Sequence, residues 1–123
     1  MGFDWKLFIQ LVDEFITHKR KTQLEEAYLR TALSRSYYGV FGIAYNDRKS
    51  RGIPLESDSK HLMVRNSYAY SSSKEEKQIS SYLNRLWRLR VEADYKENAK
   101  ITLDNVKIAQ ETARKAIESI SKI

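Results

Sequence analysis

The chain contains no cysteine. That excludes disulfides, thiolate metal sites and thiol nucleophiles, and it suits a reducing compartment. One proline and four glycines among 123 residues are too few to interrupt long elements. With abundant Leu, Ala, Glu, Lys and Arg, this scarcity favours helix throughout. No apolar run approaches the roughly 20 residues that span a bilayer. The start, Met1-Gly2-Phe3-Asp4-Trp5-Lys6, has no basic segment followed by an apolar one, so no signal peptide is expected. There is no glycine-rich phosphate loop, no H-E-x-x-H, no His/Asp cluster at metal-ligand spacing and no G-x-S-x-G elbow. No helix-turn-helix signature stands out, and neither does an internal repeat. These absences predict a soluble, cytoplasmic protein with no membrane segment, metal or cofactor. The length predicts a single domain over residues 1–123.

The formal net charge is +6. Such a balance favours acidic partners, of which nucleic acid is the most common, although a lysine-rich soluble surface gives the same number. Apolar periodicity predicts an all-α chain of four long helices and one short one, an antiparallel bundle by its connection lengths. Asp4 can cap a first helix to about Lys19, with Trp5, Phe8, Ile9, Val12, Phe15 and Ile16 in one stripe. His18 is then a helix-end cation, and Lys19-Arg20-Lys21 forms a charged turn. Thr22 to Glu25 has capping-box spacing and opens a second helix to about Arg48. Leu24, Ala27, Tyr28, Thr31, Arg35, Tyr38, Gly42 and Tyr45 share one side of it, and Leu29, Leu33, Tyr37, Val40 and Ala44 the other. A helix apolar on both sides is the central one. Gly39 and Gly42, costly within a helix, predict the close approach of another backbone. After a loop around Gly52 and Pro54, His61 to Tyr70 reads as a short helix. Ser73 to Glu76 is a second capping box and opens a helix to about Tyr95. Thr102-Leu103-Asp104 starts the last helix, with Val106, Ala109, Ala113, Ala116, Ile117 and Ile120 inward.

The residues that stand out are charges on packed faces. Ile79, Leu83, Leu86 and Trp87 define the inner edge of the fourth helix, and its continuation carries Arg90, Ala93 and Asp94. Arg85, Arg88 and Glu92 point the other way. A buried guanidinium must be paired, and Asp94, four residues on, is the obvious partner for Arg90. Arg35, on the central helix, could meet the same carboxylate or that of a second subunit. A structural ion pair that fixes helix register or a dimer seam, and a functional site, both fit this pattern. Eight tyrosines, Tyr37, Tyr38 and Tyr95 among them, could stack bases beside arginines or serve as core residues with a polar tip. His61 could act as acid or base in phosphodiester cleavage by a 2′-hydroxyl.

Ser34-Arg35-Ser36-Tyr37-Tyr38-Gly39-Val40-Phe41 resembles the S-R-x-Y-Y-A-x-F stretch of HEPN-domain proteins. Leu89-Arg90-Val91-Glu92-Ala93-Asp94-Tyr95 resembles the L-R-x-x-A-D-Y stretch of small stand-alone prokaryotic members. His61 falls where those members often carry a histidine after the mid-chain loop. The resemblance implies a helical bundle that forms a homodimer, with basic residues of both subunits lining a shared cleft. It also implies a toxin–antitoxin, antiviral or RNA-processing setting, often with a nucleotidyltransferase or antitoxin protein as partner. Catalytic members are metal-independent ribonucleases with an R-x4-6-H motif. Here Tyr95 stands where that histidine would follow Arg90, and no histidine comes after it. Tyrosine, with an ordinary pKa near 10, is a poor proton shuttle at neutral pH. Either His61 substitutes from another element, or the protein binds without cutting. On this resemblance Arg90, Asp94, Tyr95 and His61 are the candidate catalytic residues. Arg35, Tyr38, Arg85 and Arg88 are the candidate contacts to RNA or a nucleotide. The alternative is a non-enzymatic interaction subunit of a nucleotidyltransferase, whose charged face fixes the dimer or docks the partner.

Overall fold

The computed structural model describes residues 2–17, 24–55 and 59–123. Those residues form five α-helices and no strand: α1 Lys6–Thr17, α2 Glu25–Ser50, α3 Lys60–Ala69, α4 Lys74–Tyr95 and α5 Leu103–Lys122. The all-α expectation holds. The division into four long helices and one short one does not. α2, α4 and α5 have 26, 22 and 20 residues, whereas α1 and α3 have 12 and 10. His18, the Lys19-Arg20-Lys21 turn and the Thr22-Gln23 half of the first capping box lie outside the described residues. No described helix is long and apolar enough to cross a membrane.

α2 packs against each of the other four helices, as its two apolar sides require. Leu33, Tyr37, Val40 and Ala44 are fully buried on one side. On the other, burial covers only the C-terminal part: Leu24, Ala27 and Thr31 are exposed, and Gly39 and Gly42 are buried. The reason is the course of α1. As the chain runs from Trp5 through Ile9 to Phe15, it meets Gly42, then Gly39, then Tyr28. The expected close backbone is present at Gly39, where an added Cβ would lie 3.2 Å from the Trp5 carbonyl oxygen and 2.7 Å from Ile9 Cδ1. At Gly42 the neighbour is a side chain instead, because a Cβ there would overlap the Trp5 indole.

One apolar cluster draws buried residues from all five helices and from Leu55 and Ile101. Polar groups within it are paired. Ser36 Oγ donates to Gln110 Oε1 at 3.0 Å, and Gln110 Nε2 donates to the Ile9 carbonyl at 2.6 Å and to Asp13 Oδ1 at 3.0 Å. This junction ties α1, α2 and α5, and a buried amide without such partners would be costly. Helix ends are also secured. Ser59 Oγ accepts from the Leu62 amide at 3.3 Å, and Thr102 with Asn105 forms a complete capping box. Ser73 accepts from the Glu76 amide at 3.3 Å, but the Glu76 carboxylate turns away to take the Arg48 Nη1 bond at 2.6 Å. The predicted second box is therefore half formed, since a buried guanidinium outbids a backbone amide for the carboxylate. Arg30 closes the other end of α4. Its guanidinium donates to the carbonyl of Ala93 at 2.9 Å, which the helix end leaves open, and to those of Lys96 at 3.1 Å and Ala99 at 2.7 Å in the segment that follows.

Candidate functional site

The inner edge of α4 carries Arg90 where the apolar pattern would place another leucine, and the residue is only 8% exposed. Its charge is met locally. Nε donates to Asp94 Oδ2 at 2.8 Å one turn on, and Nη2 donates to the Tyr95 hydroxyl at 3.3 Å. From α2, Ser34 Oγ donates to the same Asp94 oxygen at 3.3 Å, and Arg35 Nη2 donates to Ser34 Oγ at 3.2 Å. The two arginine-bearing stretches are thus joined within one subunit by a single line, Arg35 to Ser34 to Asp94 to Arg90. Arg35 reaches the carboxylate through Ser34, not directly.

Tyr38 is the ring that both arginines share. The Arg35 guanidinium carbon lies 4.9 Å from its centre and that of Arg90 5.2 Å. Arg35 also lies over Phe8 at 5.0 Å, and Arg90 approaches Trp87 at 5.1 Å and Tyr95 at 5.2 Å. Aromatic faces attract a guanidinium more strongly when water is thinned out, so this cage suits a partly buried cation. Burial works against the charge of Arg90. The neighbouring Tyr38 and Asp94 outweigh it, so its pKa lies above the ordinary arginine value.

His61 arrives from the first turn of α3. Its ring stacks on Phe41 with centres 4.2 Å apart, and it also touches the rings of Tyr37, Tyr38 and Trp87. Its Nδ1 is 2.6 Å from the Tyr37 hydroxyl. Tyr37 is fully buried, and burial raises its pKa well above the usual tyrosine value, so the hydroxyl keeps its proton. A buried hydroxyl needs an acceptor, and Nδ1 is the one it meets. The neutral imidazole then carries its own proton on Nε2. Burial first, then the charges of Arg90 and Arg65, lower the His61 pKa below 6.5 and keep the ring neutral at pH 7.

The structure brings Arg35, Tyr38, His61, Arg90, Asp94 and Tyr95 to one face. Tyr95 is exposed there, at 70%. Arg85 and Arg88 are exposed on the opposite side of α4, away from the others. Sequence reasoning missed four participants. Trp87 stands at i−3 of Arg90, and that spacing was a usable signal, whereas Ser34 lies on α2 and meets Asp94, sixty residues away, only through tertiary packing. Tyr37 as the histidine's partner and Arg65, which lies 5.0 Å from the Trp87 ring centre, come from tertiary packing and left no sequence signal. Among the described residues no group of three His, Asp or Glu is placed to hold a metal ion. In comparisons with family models, curated proteins and solved structures, nothing matches this chain.

Proposed function

We propose that the chain is a HEPN-type antiparallel helical bundle, a homodimer that binds RNA or a nucleotide at the face around Tyr38. The observation that carries this reading is the line from Arg35 through Ser34 and Asp94 to Arg90, because it unites both family-like stretches at one site. The net charge of +6 and a neutral histidine beside the arginines also support it. Arginine forks match phosphate oxygens in geometry, and the exposed Tyr95 ring offers a base a surface to stack on.

Binding without cleavage is the version the geometry favours. Cleavage would need a group to take the 2′-hydroxyl proton as its oxygen attacks phosphorus and the bond to the 5′ oxygen breaks. With Tyr37 assigned as the donor to Nδ1 at 2.6 Å, the His61 proton lies on Nε2 and that tautomer offers no free lone pair for the step. The protein is therefore expected to bind RNA with an affinity that falls steeply with salt, and RNA incubated with it in EDTA should stay intact. Arg90→Lys, which keeps the charge but loses the fork, should weaken binding several-fold. Cleavage that disappears in Arg90→Ala would make the protein a ribonuclease. The absence of binding at low salt would overturn the reading.

A second reading, the interaction subunit of a nucleotidyltransferase, is favoured by one observation. Arg90 is already paired with Asp94 and mostly covered, as a purely structural cation would be. On that reading Arg90→Lys changes stability and partner binding and leaves RNA affinity untouched.

A further inference from the structure

The cation-lined face does not end at Arg90. Arg65 on α3 brings its guanidinium carbon to 5.0 Å from the centre of the Trp87 ring, the same ring that Arg90 approaches at 5.1 Å. Next to Arg65 the seam between α3 and α4 opens into a groove of about 460 Å³, lined in part by Arg65, Asn66, Lys77, Ser80, Ser81 and Asn84. Among the described residues, no acidic side chain lines this groove. Arg65 is held in place rather than neutralised: Nη1 donates to Asn84 Oδ1 at 3.1 Å and Nε to the His61 carbonyl at 3.5 Å. Two cations among neutral hydrogen-bonding side chains make a site for an anion that also carries hydroxyl or amide groups, which describes a sugar–phosphate chain.

Order along α4 gives the course. Lys77, Ser81, Asn84, Trp87 and Arg90 succeed one another from its first turns toward its last. At 1.5 Å and 100° per residue, Lys77 and Arg90 stand about 20 Å apart along the helix and about 140° apart around it, so the course winds from the groove past Asn84 and Trp87 to reach Arg90. A stacked single strand that advances roughly 3.4 Å per phosphate covers that span with on the order of six nucleotides. We propose that the α3–α4 groove is a second phosphate subsite continuous with the face at Arg90, so that the ligand is a single-stranded oligonucleotide and not a mononucleotide. This rests on the RNA- or nucleotide-binding reading above and specifies the ligand's length and path.

The test measures fluorescence anisotropy with labelled 2′-fluoro oligouridylates, which cannot be cut by 2′-hydroxyl attack, from UMP to a dodecamer. Affinity is expected to rise with length to about a hexamer and then level off. Lys77→Glu and Ser81→Glu place acids on exposed positions of the groove and leave the core alone. Each should weaken octamer binding by about tenfold or more and affect UMP far less. Lys77→Glu should also make the salt slope shallower by roughly 0.7 for each phosphate that Lys77 neutralises. Affinity that does not grow beyond UMP, or equal weakening at every length, overturns the proposal. In that case binding that still weakens in Arg90→Lys leaves the nucleotide-binding reading standing. If no probe binds at low salt, the reading and the groove fall together.

Discussion

His61 occupies a place that disfavours its own protonation. It sits in the first turn of α3, where the helix dipole repels a cation, and its ring is buried against Phe41 and Trp87 with Arg90 and Arg65 nearby. Its folded pKa is lowered from 6.5, whereas the unfolded chain titrates near that value. The unfolded state therefore binds more protons as the pH drops below 6.5. The stability His61 contributes is fully present above that pH and is lost as the pH falls toward its folded pKa. Asp47 and Asp13 also have lowered pKa values, but from 3.8, so their losses come at more acid pH. In a His18→Gln background, urea melts should show falling stability from pH 7 to pH 5.5, and adding His61→Gln should flatten that slope. Equal slopes with and without His61 would show that the ring is not held neutral by its surroundings. On the proposed function, RNA binding should respond in the opposite direction, since a protonated His61 would add a cation beside Arg90.

At the level of elements, the contact of α1 with α2 depends on what is missing from Gly42. Alanine would gain about 1 kcal/mol of helix propensity there. Its Cβ would also overlap the Trp5 indole, which is held edge-on by Phe3 at 5.2 Å and by Phe8 at 5.8 Å between ring centres. Overpacking of this kind costs about 1–3 kcal/mol, so it offsets or exceeds the gain. Gly42→Ala should lower stability by about 1 kcal/mol and change the near-ultraviolet circular dichroism of the displaced tryptophan. A more stable variant would mean that α1 moves aside freely. The glycine pair was legible in the sequence as a crossing point, although at Gly42 it receives an indole and not a backbone. Helix order, the caps at Ser73 and Thr102 and the inward edge of α4 were legible for a similar reason, since each is a local pattern. Arg48 was not. Its side chain is 3% exposed, bonded to Asp47 and Glu76 and 3.9 Å from the Tyr68 ring centre, yet in sequence it is one more charge at a helix end. Nothing local distinguishes it from Lys49 beside it. The same limit hid Arg30 and Gln110, whose partners are more than sixty residues away in the chain.

On the scale of the whole molecule, the outer edge of α1 is the surface on which the proposed homodimer can be tested. Leu7 and Leu11 are exposed one turn apart on α1, and Phe3, in the segment before the helix, is exposed as well. This surface adjoins Phe8, on which Arg35 rests. A partner covering it would bury apolar surface and bring its own Arg35 toward this site, as the proposed homodimer requires. The two processes then depend oppositely on salt. Copies each carrying +6 repel, so screening should strengthen a dimer held by apolar contact. The same screening should weaken RNA binding, where counterions are released from phosphates. Sedimentation equilibrium is expected to show a dimer that tightens from low to moderate salt. Leu7→Glu with Leu11→Glu should give a monomer of unchanged helical circular dichroism, because both side chains lie outside the core. A parent protein that stays monomeric at every concentration and salt would remove the dimer and leave the line from Arg35 to Arg90 as a site complete within one subunit.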